Sequence, residues 1–475
     1  MSATGELVPL AACAGERPER VGRKAALLGW AEANGLTTPG GYVLPAERFW
    51  VALDACAARD QADYLEQSAL RLDPRHVFGI ATSIAEAMRS SAVEELAAAD
   101  ADAAFARLGA PRVVCRSSSV MEDGRAASFP GVFRSVLGLE SPASLARAIA
   151  DCWRSAFSSD AVRYLLRLRT EPVDFSLALV VQRHVEAAWY GIYVSVDPVT
   201  GAAGPRADLS SSAPDTVVRG GPATVHADRR NGQWNPALEA VHHAAARLAA
   251  HLGTEVDLEF ALPQGDGPPV VLQCRPITRA PSQAAGDTAL SPHLRGRPCA
   301  PGRAAGAGIA VVERLTTADY GIVFDSTGVV MEEDASPLSH VAILCRELGV
   351  PFVCGVDGAR TILAGRHIAL DGGTGVIEIL QDGDEPALAA PRPARIEAVM
   401  TSVELLVRLL AEGRPRHDPG KEVKRVARRY ARALGAGSVR LVRHPVDPAQ
   451  LAALERLGTE LFGPEFSAGA VLDGF

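Results

Sequence analysis

The chain has 475 residues, 48% of them hydrophobic and 22% charged, and a net charge of −8. That length suits roughly two to four domains. The acidic balance argues against a nucleic-acid partner, and no apolar run reaches the ~18 residues a membrane span needs. The first twenty residues have no basic segment ahead of an apolar one, so no secretory signal is expected. Eight cysteines lie scattered, none in a C-x-x-C pair, which points to a reduced, cytoplasmic protein without structural zinc. Only three of the 48 basic residues are lysines, and Lys24 is the only one before Lys421. Lysine is a compact point charge where arginine is a planar fork, so its retention there singles Lys24 out.

Residues 1–110 alternate short apolar runs with Ala-rich helical stretches. Strands are expected at 111–115, 176–185 and 189–196, and a helix at 236–252, where Val241, Ala244, Ala245, Leu248 and Leu252 recur at helical spacing. The runs 254–262 and 269–276 flank a Gly- and Pro-rich turn and read as a hairpin. The fold class expected is mixed α+β or α/β, in several domains. Residues 1–276 form the first, 277–296 a linker, and 297–381 a small β-rich unit with a helix near 340–348. Residues 382–395 form a second linker. The tail, 396–475, is expected to be mainly helical, with Ile396, Val399, Met400, Val403, Leu406 and Leu410 along one stripe and a basic face around Lys421–Arg432.

Three segments carry candidate chemistry. In SPLSHVAILCRELGVPFVCG, Ser339 suits an N-cap and Gly349 and Pro351 a helix stop, which sets His340 in a first turn. Free N–H groups there suit a neutral imidazole nucleophile and the phosphohistidine it would become; the plainer alternative is an ordinary first-turn histidine. On the hairpin, Glu259, Gln273 and Arg275 offer a carboxylate, an amide oxygen and a permanent cation. They could hold Mg²⁺ and phosphate, or be an exposed charge ladder. In VVCRSSSVMEDGRAASFPGVF, Arg116 precedes three serines, a weak phosphate-loop signal.

Together these segments make the chain similar to the pyruvate phosphate dikinase and phosphoenolpyruvate synthase family. RVGRKAALLGWAEANGLTTPGGYVL resembles its opening segment, and RSSSVMEDGRAASFPGVF its R-S-S-x-x-E-D…S-F-A-G segment. CWRSAFS and VQRHV…GIYVSVDPVTG resemble central ATP-grasp strands, LQCRPIT the closing strand, and LSHVAILCRELGVPFVCG the phosphohistidine segment. The resemblance implies an ATP-grasp-like nucleotide domain, a swivelling phosphohistidine domain, and ATP and Mg²⁺ as cofactors. It implies that Lys24 and Arg116 hold ATP phosphates, that Gln182 lines the nucleotide pocket, and that Asp215 stands near the nucleotide. Glu259 and Gln273 would bind the metal, Arg275 would contact the transferred phosphoryl group, and His340 would carry it.

Four departures qualify the resemblance. Arg23 replaces a glycine before Lys24, which puts the phosphate loop in question. The usual G-L-G-E reads SAPD, placing Asp215 where the family has Glu. Ala335-Ser336 replaces a Gly-Gly pair, which suggests a tighter backbone approach ahead of His340. The 80-residue tail is too short for a pyruvate-binding barrel of about 250 residues. Rifampin phosphotransferase is a related case with an acceptor domain between its ATP and His domains. The expected activity is ATP-dependent phosphotransfer, of the type that forms AMP and phosphate, through phosphohistidine to a small-molecule acceptor such as a specialised metabolite. The tail or a partner subunit would supply the acceptor site. The alternatives are a ligase that activates its substrate by phosphorylation and a non-catalytic nucleotide-binding phosphocarrier.

Overall fold

The computed structural model describes residues 6–123, 129–168, 173–211, 225–229, 234–265, 267–277, 293–306 and 308–380, together with strands at 397–401 and 438–442. Two compact units emerge. One comprises residues 1–67 and 78–390, the other residues 68–77 and 391–475.

The first unit begins with helices α1 (Pro18–Ala33), α2 (Ala46–Ala55), α3 (Arg59–Ser68), α4 (Pro74–Ala87, which crosses into both units) and α5 (Ser91–Leu108). Their ends follow local chemistry. Pro18 occupies the first turn of α1, where its missing N–H costs nothing, and Gly109 closes α5 in the left-handed conformation. Helices α6 (Pro142–Ser155), α7 (Ser159–Leu168) and α8 (Pro236–Leu252) follow. Ser141 and Ser144 form a capping box on α6, and Asn235 caps α8 through the Leu238 N–H.

Two antiparallel sheets carry the candidate site. The first contains β1 (Val8–Pro9), β2 (Gly41–Leu44), β3 (Val113–Ser118), β4 (Ser135–Leu139) and β5 (Ala178–Arg183), in the order β1-β2-β5-β3-β4. The second contains β6 (Trp189–Val196), β7 (Ala203–Ser210), β8 (Val225–Asp228), β9 (Val256–Leu262) and β10 (Val270–Pro276), in the order β10-β9-β6-β7-β8. Strand β9 alternates strictly. Val256, Leu258, Phe260 and Leu262 join the core that includes Val241 and Leu248 of α8, so Asp257 and Glu259 face the other way. A bulge between Val271 and Gln273 shifts the register of β10. Without it, Gln273 and Arg275 would share a face with core residue Val271. With it, Gln273 stands opposite Glu259 and Arg275 opposite Asp257.

Residues 293–380 contain two four-stranded sheets. One, in the order β11-β18-β17-β13, is antiparallel: β11 (Leu294–Arg295), β13 (Arg303–Ala305), β17 (Ile368–Asp371) and β18 (Val376–Ile379). The other runs β12-β16-β15-β14: β12 (Arg297–Ala300), β14 (Ile309–Val312), β15 (Gly328–Met331) and β16 (Phe352–Cys354), parallel except for β12 against β16. Helices α9 (Tyr320–Asp325), α10 (His340–Leu348) and the short α11 (Ala359–Ile362) complete it. Within this unit, expected to be β-rich with one helix, the run YGIVFD is helical. A capping box between Thr316 and Asp319 starts a short helical turn that leads into it.

The second unit differs from the sequence reading at one point. Residues 397–401 form strand β19, which pairs in parallel with β20 (Ser438–Val442). Val399 and Met400 of the apolar stripe therefore lie in a strand rather than a helix; backbone pairing with a distant strand overrides local helical periodicity. The remainder of the expected helical tail, the basic face at 421–432, most of the 277–296 linker and all of the 382–395 linker lie outside the described residues.

Candidate active site

One cavity of about 710 Å³ gathers most of the residues singled out in the sequence. Lys24, Arg116, Glu259, Gln273, Arg275 and His340 all line it. The alternative of an exposed charge ladder on the hairpin is overturned, because Glu259 and Gln273 are each 7% exposed and Arg275 is 3% exposed. Asp215 lies outside the described residues.

Lys24 reaches the cavity because the backbone breaks just before it. Within α1, Gly22 turns to φ +76, and a β-carbon on it would collide with Ser118. This close crossing of the α1 start over the end of β3 needs glycine. The Lys24 amide-to-hydroxyl neighbourhood is tight as well: the Ala25 N–H donates to Ser118 Oγ at 3.1 Å, and Lys24 Nζ donates to the Ser117 carbonyl at 2.9 Å. Arg23 stands in place of a glycine just before Lys24. Its side chain is exposed and its Nε donates to the Val120 carbonyl at 2.6 Å.

The cavity holds a near-balanced set of charges. Lys24 pairs with Glu122 at 3.2 Å, and Glu122 also accepts from Ser117 Oγ and the Ser119 N–H. Arg116 Nη1 lies 3.3 Å from both Glu259 Oε2 and Gln273 Oε1. The two oxygens thus converge on one cationic atom. Arg275 is held from behind by Asp257, with Nη2 at 3.1 Å and Nε at 3.2 Å. Burial opposes the Arg275 charge, but Asp257, Glu259 and Asp123 outweigh it and fix the guanidinium as a cation. Asp123 accepts from Gln273 Nε2 at 3.2 Å, and burial pushes its carboxyl up to about 7. Its backbone sits at φ +55, a conformation that non-glycine residues seldom adopt.

His340 opens α10. Ser339 Oγ accepts from the Ala342 N–H, and Gly349 closes the helix at φ +67, as the sequence indicates. The imidazole enters the cavity beside Gly131, which precedes Val132 and Phe133 in the segment from the nucleotide side. Tyr320 Oη donates to the Pro130 carbonyl and ties α9 to the same loop. Ser336 does not line the cavity. Its hydroxyl turns instead to Asp208 on β7.

Gln182 stands apart from the large cavity. It lines a narrow adjoining pocket with Pro39, Val114, Leu137, Tyr190 and Leu272, and this pocket shares Arg116 and Leu137 with the cavity. Gln182 is 2% exposed, and its Nε2 meets no hydrogen-bond acceptor among the described residues. A buried amide without a partner fits a polar ligand edge entering between apolar walls.

Sequence reasoning passed over Glu122, Asp123, Asp257 and Gly131. The first two stand in the quoted E-D pair and Asp257 lies two residues before Glu259 on the same strand face, so periodicity could have found them. Gly131 stands at the glycine of the quoted S-F-A-G segment, but its closeness to His340 is a contact across the chain that no local pattern gives.

Residues 18–228 match the family model for the AMP/ATP-binding domain of pyruvate phosphate dikinase. Residues 306–375 match the mobile domain of PEP-utilising enzymes. The chain carries the AMP/ATP-binding domain of the pyruvate phosphate dikinases and the mobile domain of the PEP-utilising enzymes. A probable phosphoenolpyruvate synthase from Methanothermobacter thermautotrophicus is 24% identical over 418 residues, covering 75% of this chain and 61% of that protein. The phosphoenolpyruvate synthase of Pyrococcus furiosus is 22% identical, over 56% of this chain and 40% of its own length. A rifampicin phosphotransferase from Streptomyces sviceus is 32% identical over 188 residues, covering 38% of this chain and 21% of that protein. The chain therefore spans less than two thirds of the length of these relatives. Among the described residues, no helix is long and apolar enough to cross a membrane.

Proposed function

We propose that this chain is an ATP-dependent phosphotransferase of the dikinase type, which phosphorylates its own His340 and passes the phosphoryl group to a small-molecule acceptor. The observation that carries the reading is the presence of His340 in the same cavity as Lys24, Arg116, Glu259, Gln273 and Arg275. A nucleophile among buried cations and paired oxygens is the arrangement that phosphoryl transfer needs, since positioning and charge neutralisation do most of the work.

Lys24 and Arg116 would hold the ATP phosphates, and Arg275, braced by Asp257, would contact the phosphoryl group in transit. Gln182 would meet the nucleotide from the adjoining pocket. Glu259 and Gln273 fit Mg²⁺, since their oxygens already converge on one cationic atom and Mg²⁺ commonly takes only one or two protein oxygens beside phosphate and water. Bound there, Mg²⁺ would supply charge neutralisation on the phosphate oxygens. A His340 nitrogen attacks the β-phosphorus, the bridge between the α- and β-phosphates breaks to release AMP, and water takes the γ-phosphoryl group as phosphate. The acidic neighbours Glu122 and Asp123 hold Lys24 and Gln273 in place between turnovers.

The reading extends to an ATP-grasp-like nucleotide domain at 1–276 and a swivelling carrier at 297–381. The acceptor site would lie in the tail or in a partner subunit, and the setting would be the cytoplasm. Intact-mass measurement after incubation with Mg-ATP tests the central step. The expected result is a single acid-labile, base-stable phosphoryl group that disappears in His340→Ala while ATP binding persists. Phosphorylation of the His340→Ala protein at the wild-type level would remove His340 from the role.

A further inference from the structure

The turn that leads into His340 is fastened to the nucleotide-binding domain at a place outside the cavity. Ser336 is 1% exposed, and its Oγ donates to Asp208 Oδ2 on β7. The same hydroxyl accepts the Leu338 N–H at 2.9 Å, and the Ser336 carbonyl accepts the Ser339 N–H at 3.0 Å. Ser339 in turn caps α10, so the conformation from Ser336 to His340 is fixed atom by atom.

Asp208 is built to receive this contact. It is 7% exposed, and its other oxygen lies 2.7 Å from His226 Nδ1 on β8. His226 Nε2 lies 3.3 Å from Arg297 Nη1, which returns to the His340-bearing domain, where Arg297 also pairs with Asp334 at 2.8 Å. His226 thus bridges Asp208 and Arg297, and its hydrogen bond with Asp208 raises its pKa above the ordinary imidazole value. Two of these contacts, Ser336 to Asp208 and Arg297 to His226, join residues 293–380 to the second sheet. Beside them, Leu338 packs on Ile192 and Val194 of β6, and Ile192 is the cross-strand partner of Asp208. A buried polar contact therefore sits directly against a buried apolar one.

We infer that Asp208 and Ser336 are positioning residues that latch the histidine domain onto the nucleotide domain and set His340 at the phosphoryl-accepting position. The inference rests on the phosphohistidine reading for its consequence, but the latch itself is a matter of docking. Ser336 touches no cavity wall, so its effect on His340 acts through placement. A buried hydrogen bond to a carboxylate that also fixes a turn is worth about a tenfold change or more when one partner is lost.

The test compares Ser336→Ala, Asp208→Ala and the double variant, with Asp208→Asn as the conservative form that keeps an acceptor for the hydroxyl. Three readings are taken on the full chain: the rate of His340 phosphorylation by Mg-ATP, the affinity for a non-hydrolysable ATP analogue, and hydrogen exchange across 338–346 and 190–196. The latch predicts about tenfold slower phosphorylation in each single alanine variant, a double variant no slower than either, and partial recovery in Asp208→Asn. Analogue affinity should stay within about twofold, and exchange should rise at the two named segments. Wild-type phosphorylation rates in the alanine variants would overturn the latch, and so would slowed phosphorylation with unchanged exchange. If the wild-type protein takes no phosphoryl group, the phosphohistidine reading fails separately. Exchange then decides the latch alone: raised exchange at both segments supports it, and unchanged exchange overturns it.

Discussion

Gly131 stands so close to His340 that a β-carbon on it would lie 2.7 Å from His340 Nδ1. The imidazole occupies space that only a glycine leaves open, and Thr317 and Tyr320 close the same space from the other side. Gly131→Ala should therefore push His340 out of the cavity. The backbone there is at φ +64, so alanine also brings left-handed strain of roughly 1–2 kcal/mol. Gly138 provides the control, with φ +66 and no neighbour within 4 Å of the added carbon. Gly131→Ala should slow His340 phosphorylation about tenfold or more with ATP affinity little changed. Gly138→Ala should lose comparable stability and keep the rate. Equal rates in the two variants would count against the contact.

Lys24 has two partners to leave unsatisfied. It is 4% exposed and pairs with Glu122, itself 5% exposed. Removing one member of a buried ion pair strands the other, at a cost of about 3–5 kcal/mol. Lys24→Met should thus lower the melting temperature and cut His340 phosphorylation about a hundredfold or more, since one phosphate-stabilising group is commonly worth ~3–4 kcal/mol in the transition state. Adding Glu122→Gln should recover much of the stability and none of the rate. A double variant that regains both would show that Lys24 serves folding alone.

The sequence disclosed the site residues better than it disclosed their assembly. Ser339, His340 and Gly349 were legible because caps and helix stops are local chemistry. The hairpin was legible because its two runs flank a Gly- and Pro-rich turn. The bulge that turns Gln273 and Arg275 onto the Glu259 face was not, since strict alternation predicts the opposite face. The contacts of Gly131 with His340 and of Asp208 with Ser336 were not legible for a different reason: each is made across the chain, which no local periodicity records. The β19–β20 pairing failed on the same ground, as parallel strands far apart in sequence leave no adjacent turn to read.

Asp123 links the cavity to pH. Burial raises its carboxyl from the ordinary range to about 7, so the folded protein holds a proton that the unfolded chain gives up near pH 4. The stability linked to this group is fully present below pH ~4 and is lost as pH rises through about 7. Asp123→Asn removes the titration and keeps the shape. The variant should gain stability relative to wild type as pH rises from 5 to 7.5, by an amount on the order of a few kcal/mol. Denaturant midpoints for both proteins across that range make the comparison. A constant difference between them would mean that Asp123 is ionised throughout.

The nucleotide product separates dikinase chemistry from simple kinase chemistry. In the proposed reaction the β-phosphoryl group reaches His340, AMP leaves, and the γ-phosphoryl group goes to water. The support for this division is the match to the AMP/ATP-binding domain of pyruvate phosphate dikinase rather than a distance, because Lys24, Arg116 and Arg275 could hold either phosphate. Their spread along one cavity with Glu259 and Gln273 suits a chain of three phosphates neutralised at several points, as such transfers require. ATP labelled separately at the β- and γ-positions decides the matter in a single turnover. The β-label should appear on the protein, the γ-label in free phosphate, and AMP should accumulate in step with labelled His340. Transfer of the γ-label to His340, with ADP as the nucleotide product, would show that the cavity supports one phosphoryl transfer from the end of the chain. The roles of Arg275 and Arg116 would then have to be reassigned to the terminal phosphate.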